Sequence, residues 1–325
     1  MLCKKCVLPE SKPDIWLNKE GVCNICADHD KQKAAAARPV MLESELIKIL
    51  EKHRGRNKYD CLVMCSGGKD STLGLYYMKK RYRMNPLAFT FDHGYENSEA
   101  LGNIRSAVDI LGVDWLYLKS GFLKDIFRKI VETGSAAPIC HVCAIWYMNL
   151  VYQTARRYNI PVIVAGWTKG QSTEGRETGR EYAAMSAATR DFIIRHLRRE
   201  AAYKDFPLSM KEAVKAAARG SRITAVSPHW FLRYDPYKAV EILEKELKWA
   251  APSLSYPLNS TNCMMNFASV YLTMKNFGYT HYHIEMSKLI RKGELSRDEA
   301  LKLLEINFGK DLVNSVLKDI GCALE

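Results

Sequence analysis

The chain reads as an α/β protein: a parallel sheet covered by helices on both sides, with a cysteine-rich unit before it and a helical region after it. Three observations predict this. Apolar stretches alternate with amphipathic ones from residue 59 to residue 226. Each apolar stretch is continuous, as expected of a strand buried on both faces. A Gly-rich turn, Ser66-Gly67-Gly68-Lys69-Asp70-Ser71, follows the first apolar stretch and opens an amphipathic helix.

In chain order, a stretch from Asp30 to Pro39, rich in Lys and Ala, reads as a linker or helix, and Glu43 to His53 as an amphipathic helix. The first strand is Tyr59 to Cys65. A second strand, Pro86 to Phe91, is closed by Asp92, His93 and Gly94, and a helix around Ser98 to Leu111 leads to a strand near Val113 to Leu118. Helices over Phe122 to Thr133 and Val142 to Tyr158 precede the strand Ile160 to Ala165, and the last strand is Arg222 to Val226. Ligands of such sheets lie at the carboxyl ends of the strands, so Ser66, Asp92, Gly166 and Ser227 are expected to face one crevice.

From Glu181 the chain turns helical and basic. Arg190, Arg195, Arg198, Arg199 and Lys204 form either a solvated surface or a phosphate-contacting patch. Helices follow at Pro236 to Trp249 and Phe267 to Phe277. His281 and His283 alternate as on a strand or extended loop, and Ser287 to Ile320 reads as a small helical unit with Ser296 and Glu299 as a capping box. The resulting division is 1–40 for the cysteine-rich unit and linker, 41–230 for the sheet, and 231–325 for a helical substrate region.

The 325 residues are 47% hydrophobic and 26% charged, ordinary for a globular protein, but the formal charge of +12 is not. It argues for a polyanionic partner or substrate, RNA or a nucleotide sugar, or for a basic solvated surface. No apolar run reaches the length of a membrane span, and Met1 to Cys26 lacks the apolar core of a signal peptide, so a cytoplasmic location without membrane is expected.

Ten cysteines in such a chain point to metal more than to disulfides. Cys3, Cys6, Cys23 and Cys26 make two C-x2-C knuckles, the spacing of a structural zinc ribbon, whose four thiolates leave the ion no open position. Cys140 and Cys143 make a third C-x2-C just before a helix, whose N-terminus is expected to lower a thiol pKa. Cys263, in Asn259-Ser-Thr-Asn-Cys-Met-Met-Asn, is the natural third ligand. The three could hold zinc with a fourth ligand such as His141, act as a catalytic pair, or be buried thiols; a further alternative comes from a family resemblance. Cys61, Cys65 and Cys322 look unpaired.

The Gly-rich turn has the chemistry of a phosphate site: two glycines let backbone N–H groups approach an anion, and Ser71 adds a hydroxyl near a helix N-terminus. Its spacing is that of neither a Walker A loop nor a dinucleotide fingerprint. It resembles the PP-loop of the N-type ATP pyrophosphatases. That resemblance implies ATP and Mg²⁺, with pyrophosphate held on residues 66 to 71 while AMP passes to a substrate oxygen. Lys69 would offset phosphate charge, and Asp70 would hold Mg²⁺ or orient the substrate. Phe91, Asp92 and His93 would line the nucleotide pocket. Gly166, leading Trp167-Thr168-Lys169-Gly170-Gln171, would begin a phosphate-side loop, with a mobile lid or substrate loop running on to Arg180.

The ends of the chain resemble the N-acetyl sugar amidotransferase branch of that superfamily: Cys-Lys-Lys-Cys-Val-Leu-Pro, Gly-Val-Cys-Asn-Ile-Cys, the Cys140 to Cys143 motif, Tyr158-Asn-Ile-Pro, Leu289-Ile-Arg-Lys-Gly and Ser296-Arg-Asp-Glu-Ala. The branch implies amide formation on the carboxylate of a nucleotide-linked sugar, with ammonia from a separate glutaminase. One departure stands out. The acidic residue expected just after the glycine of the fourth strand is replaced by Trp167 and Thr168. Cys140, Cys143 and Cys263 also resemble the ligands of PP-loop tRNA thiolases, where three thiolates hold a 4Fe-4S cluster; this implies tRNA as substrate and a sulfur donor. A non-catalytic nucleotide-sensing or RNA-binding module is a third reading, against which Lys69 and Asp70 argue. The assembly is open, a homodimer included.

Overall fold

The computed structural model describes residues 1–35, 41–171, 179–257 and 263–324. Strand β1 (Cys61–Met64) is buried at every position, with a neighbour on each edge and helices over each face. Around it lie β2 (Pro86–Asp92), β3 (Asp114–Lys119), β4 (Val162–Val164) and β5 (Thr224–Val226), in the order β3-β2-β1-β4-β5. Every pairing is parallel, with Cys61 opposite Pro86 and Leu62 opposite Ile163. The strands match those expected to within one or two residues at each end: β1, β4 and β5 are shorter, β2 runs one residue further to Asp92, and β3 is shifted by one.

The two-residue period of a strand divides the core. Leu62, Met64, Leu87, Phe89 and Ile163 point to one face; Cys61, Val63, Ala88, Val162 and Val164 point to the other. The first face is covered by α5 (Phe122–Glu132) and α6 (Ile139–Arg157), and the second by α3 (Lys69–Tyr76) and α4 (Ser98–Leu111). In α5, Leu123, Ile126, Phe127 and Ile130 recur at helical spacing and are all buried. Phe127 is wholly enclosed, so truncation to Ala would cost about 3–5 kcal/mol.

The order of strands reverses at β1: the chain steps outward to β2 and β3, then returns to β4 on the other side. A crevice opens at such a reversal, here between the loops that leave β1 and β4.

The C-terminal helices are part of the same body. α10 (Pro236–Leu247) adds Leu243 and Leu247 to the α3/α4 face, while α11 (Met265–Phe277) and α14 (Lys310–Lys318) add Met265, Val313 and Leu317 to the α6 face. Between them lie α12 (His281–Lys292) and α13 (Arg297–Leu304), the latter opened by the expected Ser296/Glu299 capping box.

Two expectations are corrected. His281 and His283 lie on helix α12, opened by Thr280, and not on an extended segment. Helix α6 begins at Ile139, so Cys140 and Cys143 sit inside its first turns and not before it. In the basic segment, Arg195 pairs with Asp191 at 2.6 Å and Arg198 with Glu212 at 3.0 Å, which suits a solvated, internally paired surface. The end of the expected linker, the stretch 172–178 of the expected lid, and 259–262 before Cys263 lie outside the described residues. Among the described residues no helix is long and apolar enough to cross a membrane.

Candidate active site

Close contacts shape the Gly-rich turn. Gly67 adopts φ of +77°, and a Cβ there would lie 2.1 Å from the carbonyl oxygen of Ala100 on α4, so no other residue fits. The Gly67 carbonyl accepts from the Trp249 indole at 2.8 Å. Inside the turn, Ser66 Oγ and Ser71 Oγ lie 3.0 Å apart, and Ser71 Oγ donates to the Gly68 carbonyl at 3.1 Å. Gly68 is the N-cap of α3, which places the first backbone N–H groups of that helix beside Ser66. Across the crevice, a Cβ on Gly166 would lie 2.4 Å from the backbone nitrogen of Ser71, so only glycine lets the β4 loop pass this close.

The turn opens on a cavity of about 420 Å³, within the range of small-ligand sites. Ser66, Gly68, Lys69, Asp70 and Ser71 form one wall, and Gly166, Trp167, Thr168 and Lys169 a second. Helix α12 supplies the third, with His281, Tyr282 and Glu285; Tyr147 of α6 contributes an aromatic face. Phe91, Asp92 and His93, expected on the nucleotide wall, lie elsewhere. Phe91 is in the core near Tyr147, and Asp92 accepts from the Tyr117 hydroxyl and the Gly94 N–H. Ser227 is also withdrawn: its hydroxyl donates to the Trp167 carbonyl at 2.7 Å.

Lys69 Nζ stands 3.0 Å from Asp70 Oδ2, and the Tyr234 hydroxyl donates to Asp70 Oδ1. Burial and the Asp70 charge push the Tyr234 phenol far up, so it stays a donor. His229 Nε2 lies 2.9 Å from the Asp70 carbonyl oxygen, and burial lowers its pKa, keeping the ring neutral beside the loop. Asp70 is thus a fixed carboxylate on the cavity wall. Its hard oxygens, shared between Lys69 and Tyr234, are of the class that Mg²⁺ takes.

Sequence reasoning missed Glu285. Thr168 Oγ1 donates to Glu285 Oε1 at 2.6 Å, so the carboxylate absent after Gly166 in sequence is restored in space by α12. Burial raises the Glu285 pKa, with the Asp70 charge adding to it, so this acid holds its proton to higher pH than usual. Its spacing to His281, one helical turn, was the available signal, hidden while His281 was read as extended.

The ribbon cysteines converge. Cys3, Cys6, Cys23 and Cys26 are all buried with their sulfurs within 4.8 Å of one another, and Cys6 Sγ lies 3.8 Å from Cys23 Sγ. Two thiolates about 2.3 Å from one tetrahedral ion stand about 3.8 Å apart, so the quartet fits zinc. Backbone N–H groups of Lys5 and Cys23 donate to Cys3 Sγ, whose pKa the neighbouring thiols push well down. The unit is docked, not pendant: its cysteines pack with Met185, Tyr279 and Ile284, and the Arg297 guanidinium donates to the Cys3 and Cys6 carbonyls.

Cys140, Cys143 and Cys263 do not converge as the ribbon cysteines do: among the described residues their three sulfurs are not all within 4.8 Å of one another, and Cys263 Sγ lies instead 3.5 Å from His93 Nε2. Burial raises all three: Cys140 to about 11, Cys143 well up with the charges of Cys140 and Glu96 adding to it, and Cys263 well up with those of Glu96, Cys140 and Cys143. This overturns the expectation of thiols acidified by a helix N-terminus: the dry surroundings outweigh the dipole.

Residues 261–323 match the family model described as LPS biosynthesis protein WbpG-like, C-terminal domain. Over 307 residues the chain is 25% identical to an uncharacterised protein of Methanocaldococcus jannaschii, covering 94% of this chain and 93% of that one. Similar solved structures include the U34-tRNA thiolase NcsA from Methanococcus maripaludis with its [4Fe-4S] cluster, 16% identical over 99% of this chain and 98% of that one, TM-score 0.38. An NMN synthetase from Francisella tularensis is 11% identical over 87% and 95%, TM-score 0.42. An NH3-dependent NAD synthetase from Campylobacter jejuni is 14% identical over 71% and 95%, TM-score 0.31. At those scores the reading of the site rests on this chain's own residues. In its Gly-rich turn the chain resembles the PP-loop ATP pyrophosphatases, and residues 261–323 are similar to the WbpG-like C-terminal domain.

Proposed function

We propose that the chain is an ATP-dependent adenylating transferase that replaces a substrate oxygen with nitrogen, as an N-acetyl sugar amidotransferase does. The observation that carries this is the shared cavity: the phosphate loop forms one wall, and α12, inside the WbpG-like segment, forms the wall facing it. Nucleotide phosphates would meet the α3 N-terminus, Ser66, Ser71 and Lys69. A substrate oxygen attacks the α phosphorus, the bond to the β phosphate breaks, and pyrophosphate leaves. Ammonia then attacks the activated carbon, its proton passes to a base, and AMP departs with the substrate's oxygen. Glu285 is placed to take that proton. Bound Mg²⁺, held by Asp70, would neutralise phosphate charge.

The acceptor class is a nucleotide-linked sugar, in keeping with the charge of +12, and the ammonia comes from a separate glutaminase subunit. The test is acceptor-dependent release of pyrophosphate and AMP from ATP with ammonium as nitrogen source, using acceptor labelled with oxygen-18. The label should appear in AMP. Formation of ADP and phosphate, or hydrolysis indifferent to acceptor, would sink the proposal.

A second reading is sulfur transfer to tRNA or a small molecule, with a 4Fe-4S cluster on Cys140, Cys143 and Cys263 and a sulfur donor. What favours it is that the charges of Cys140 and Cys143 reach Cys263. Iron and acid-labile sulfide in anaerobically purified protein would support it; their absence leaves amidation.

A further inference from the structure

We propose that His93, Glu96 and Cys263 form a second metal centre, for a single tetrahedral divalent ion of zinc's class. His93 Nε2 lies 3.5 Å from Cys263 Sγ and 3.5 Å from Glu96 Oε1, and all three ligand atoms fall within 4.8 Å of one another. For one tetrahedral ion with metal–nitrogen and metal–oxygen bonds of about 2.1 Å and a metal–sulfur bond of about 2.3 Å, such pairs stand about 3.4–3.6 Å apart. The spacing is that of ligands about one ion.

The backbone builds this arrangement. His93 follows the last residue of β2. Glu96 and Cys263 face each other in an isolated antiparallel bridge, beside which the Met264 N–H donates to the Tyr95 carbonyl at 2.8 Å. The rings of Phe91, Tyr95 and Phe127 surround the imidazole at 6.1, 5.9 and 5.6 Å. The His93 and Glu96 side chains are only 5% and 9% exposed, so the ligands meet in a dry pocket where a cation is strongly held once bound.

The donor set names the ion. One imidazole, one carboxylate and one thiolate are borderline ligands, suited to zinc or cobalt and poor for Mg²⁺. Three protein ligands leave a fourth position, as catalytic zinc sites do, and Cys140 and Cys143 are the neighbouring thiols. The ion would clip the start of the WbpG-like segment to the end of β2. None of this depends on the adenylation reading.

The test is metal analysis of the full chain, purified with and without air and dialysed against trace zinc. Wild type is expected to hold about two zinc ions per chain, and His93→Gln, Glu96→Gln and Cys263→Ser about one, with Lys69→Ala keeping both. X-ray absorption at the zinc edge of the wild type needs no variant to fold: a mixed sulfur and nitrogen/oxygen shell supports the site. An all-sulfur shell with about one zinc per chain overturns it. So does about four iron and four sulfide per chain that vanish in Cys263→Ser.

Discussion

Thr168 and Glu285 meet across the cavity, hydroxyl to carboxylate, at 2.6 Å, and this bond ties the loop after β4 to helix α12. Burial raises the Glu285 pKa, and the carboxylate form is the one that accepts a proton. Product formation should therefore rise with pH through the raised Glu285 pKa and level off above it. Glu285→Gln is expected to lower the turnover rate about 100-fold and to abolish that limb, with ATP affinity little changed. Rate against pH for both proteins checks this; an unaltered limb in the variant would remove Glu285 from proton transfer.

Gly67 and Lys69 separate shape from chemistry in one loop. Gly67→Ala would force a Cβ against the Ala100 carbonyl at positive φ, costing about 1–3 kcal/mol and displacing the loop from the cavity. Lys69→Ala leaves the fold intact and removes the ammonium beside Asp70. Both should lose acceptor-dependent pyrophosphate release, but only Gly67→Ala should lower the melting temperature. Thermal melts run beside the activity assay check the distinction. Equal melting temperatures would show that the close approach to Ala100 carries no weight.

Strands β1, β2 and β4 were legible because burial on both faces demands continuous apolar runs, while the edge strands β3 and β5, exposed along part of their length, were legible from their place in the alternation of strands and helices. The Gly-rich turn was legible because its glycines are fixed by local geometry. What escaped were residues whose roles come from packing. His281 and His283 alternate in sequence, yet Thr280 caps a helix in which His281 lines the cavity and His283 turns back to the cap, its Nδ1 3.2 Å from the Thr280 nitrogen. An imidazole replaces the usual Glu or Gln of a capping box, so the signature was easy to pass over. Asp92 and His93 follow a strand as ligand residues do, but Tyr117 engages the first and Cys263, 170 positions away, adjoins the second.

Removing zinc from the ribbon should reach the cavity. The four cysteines pack with Tyr279 and Ile284, which flank the start of α12, and Val7 N–H donates to Ser287 Oγ in the middle of that helix. Cys6→Ser is expected to lower bound zinc, reduce the melting temperature by several degrees and speed hydrogen exchange in α12, since too few residues surround the ion to hold the ribbon without it. Unchanged exchange in α12 would show the ribbon to be an independent unit.

The histidines of α12 contribute to the acid limit of stability, as buried His93 and His141 do. Burial lowers His281 to about 3, with the His141 and His283 charges opposing its protonation further, and burial lowers His283 to about 4. An unfolded histidine titrates near 6.5, so between about pH 6.5 and pH 4 the unfolded chain binds more protons than the folded one. Stability is then full above about pH 6.5 and falls as the pH drops, by up to about 1.4 kcal/mol per pH unit for each histidine. Protonating His283 Nδ1 also removes the acceptor for the Thr280 N–H, which opens the helix at its first turn. Urea midpoints at pH 7.5, 6 and 5 should decline, and His281→Gln, which has no proton to take up, should decline less steeply. A variant that tracks the wild type at all three values would mean that His281 is already charged in the folded protein.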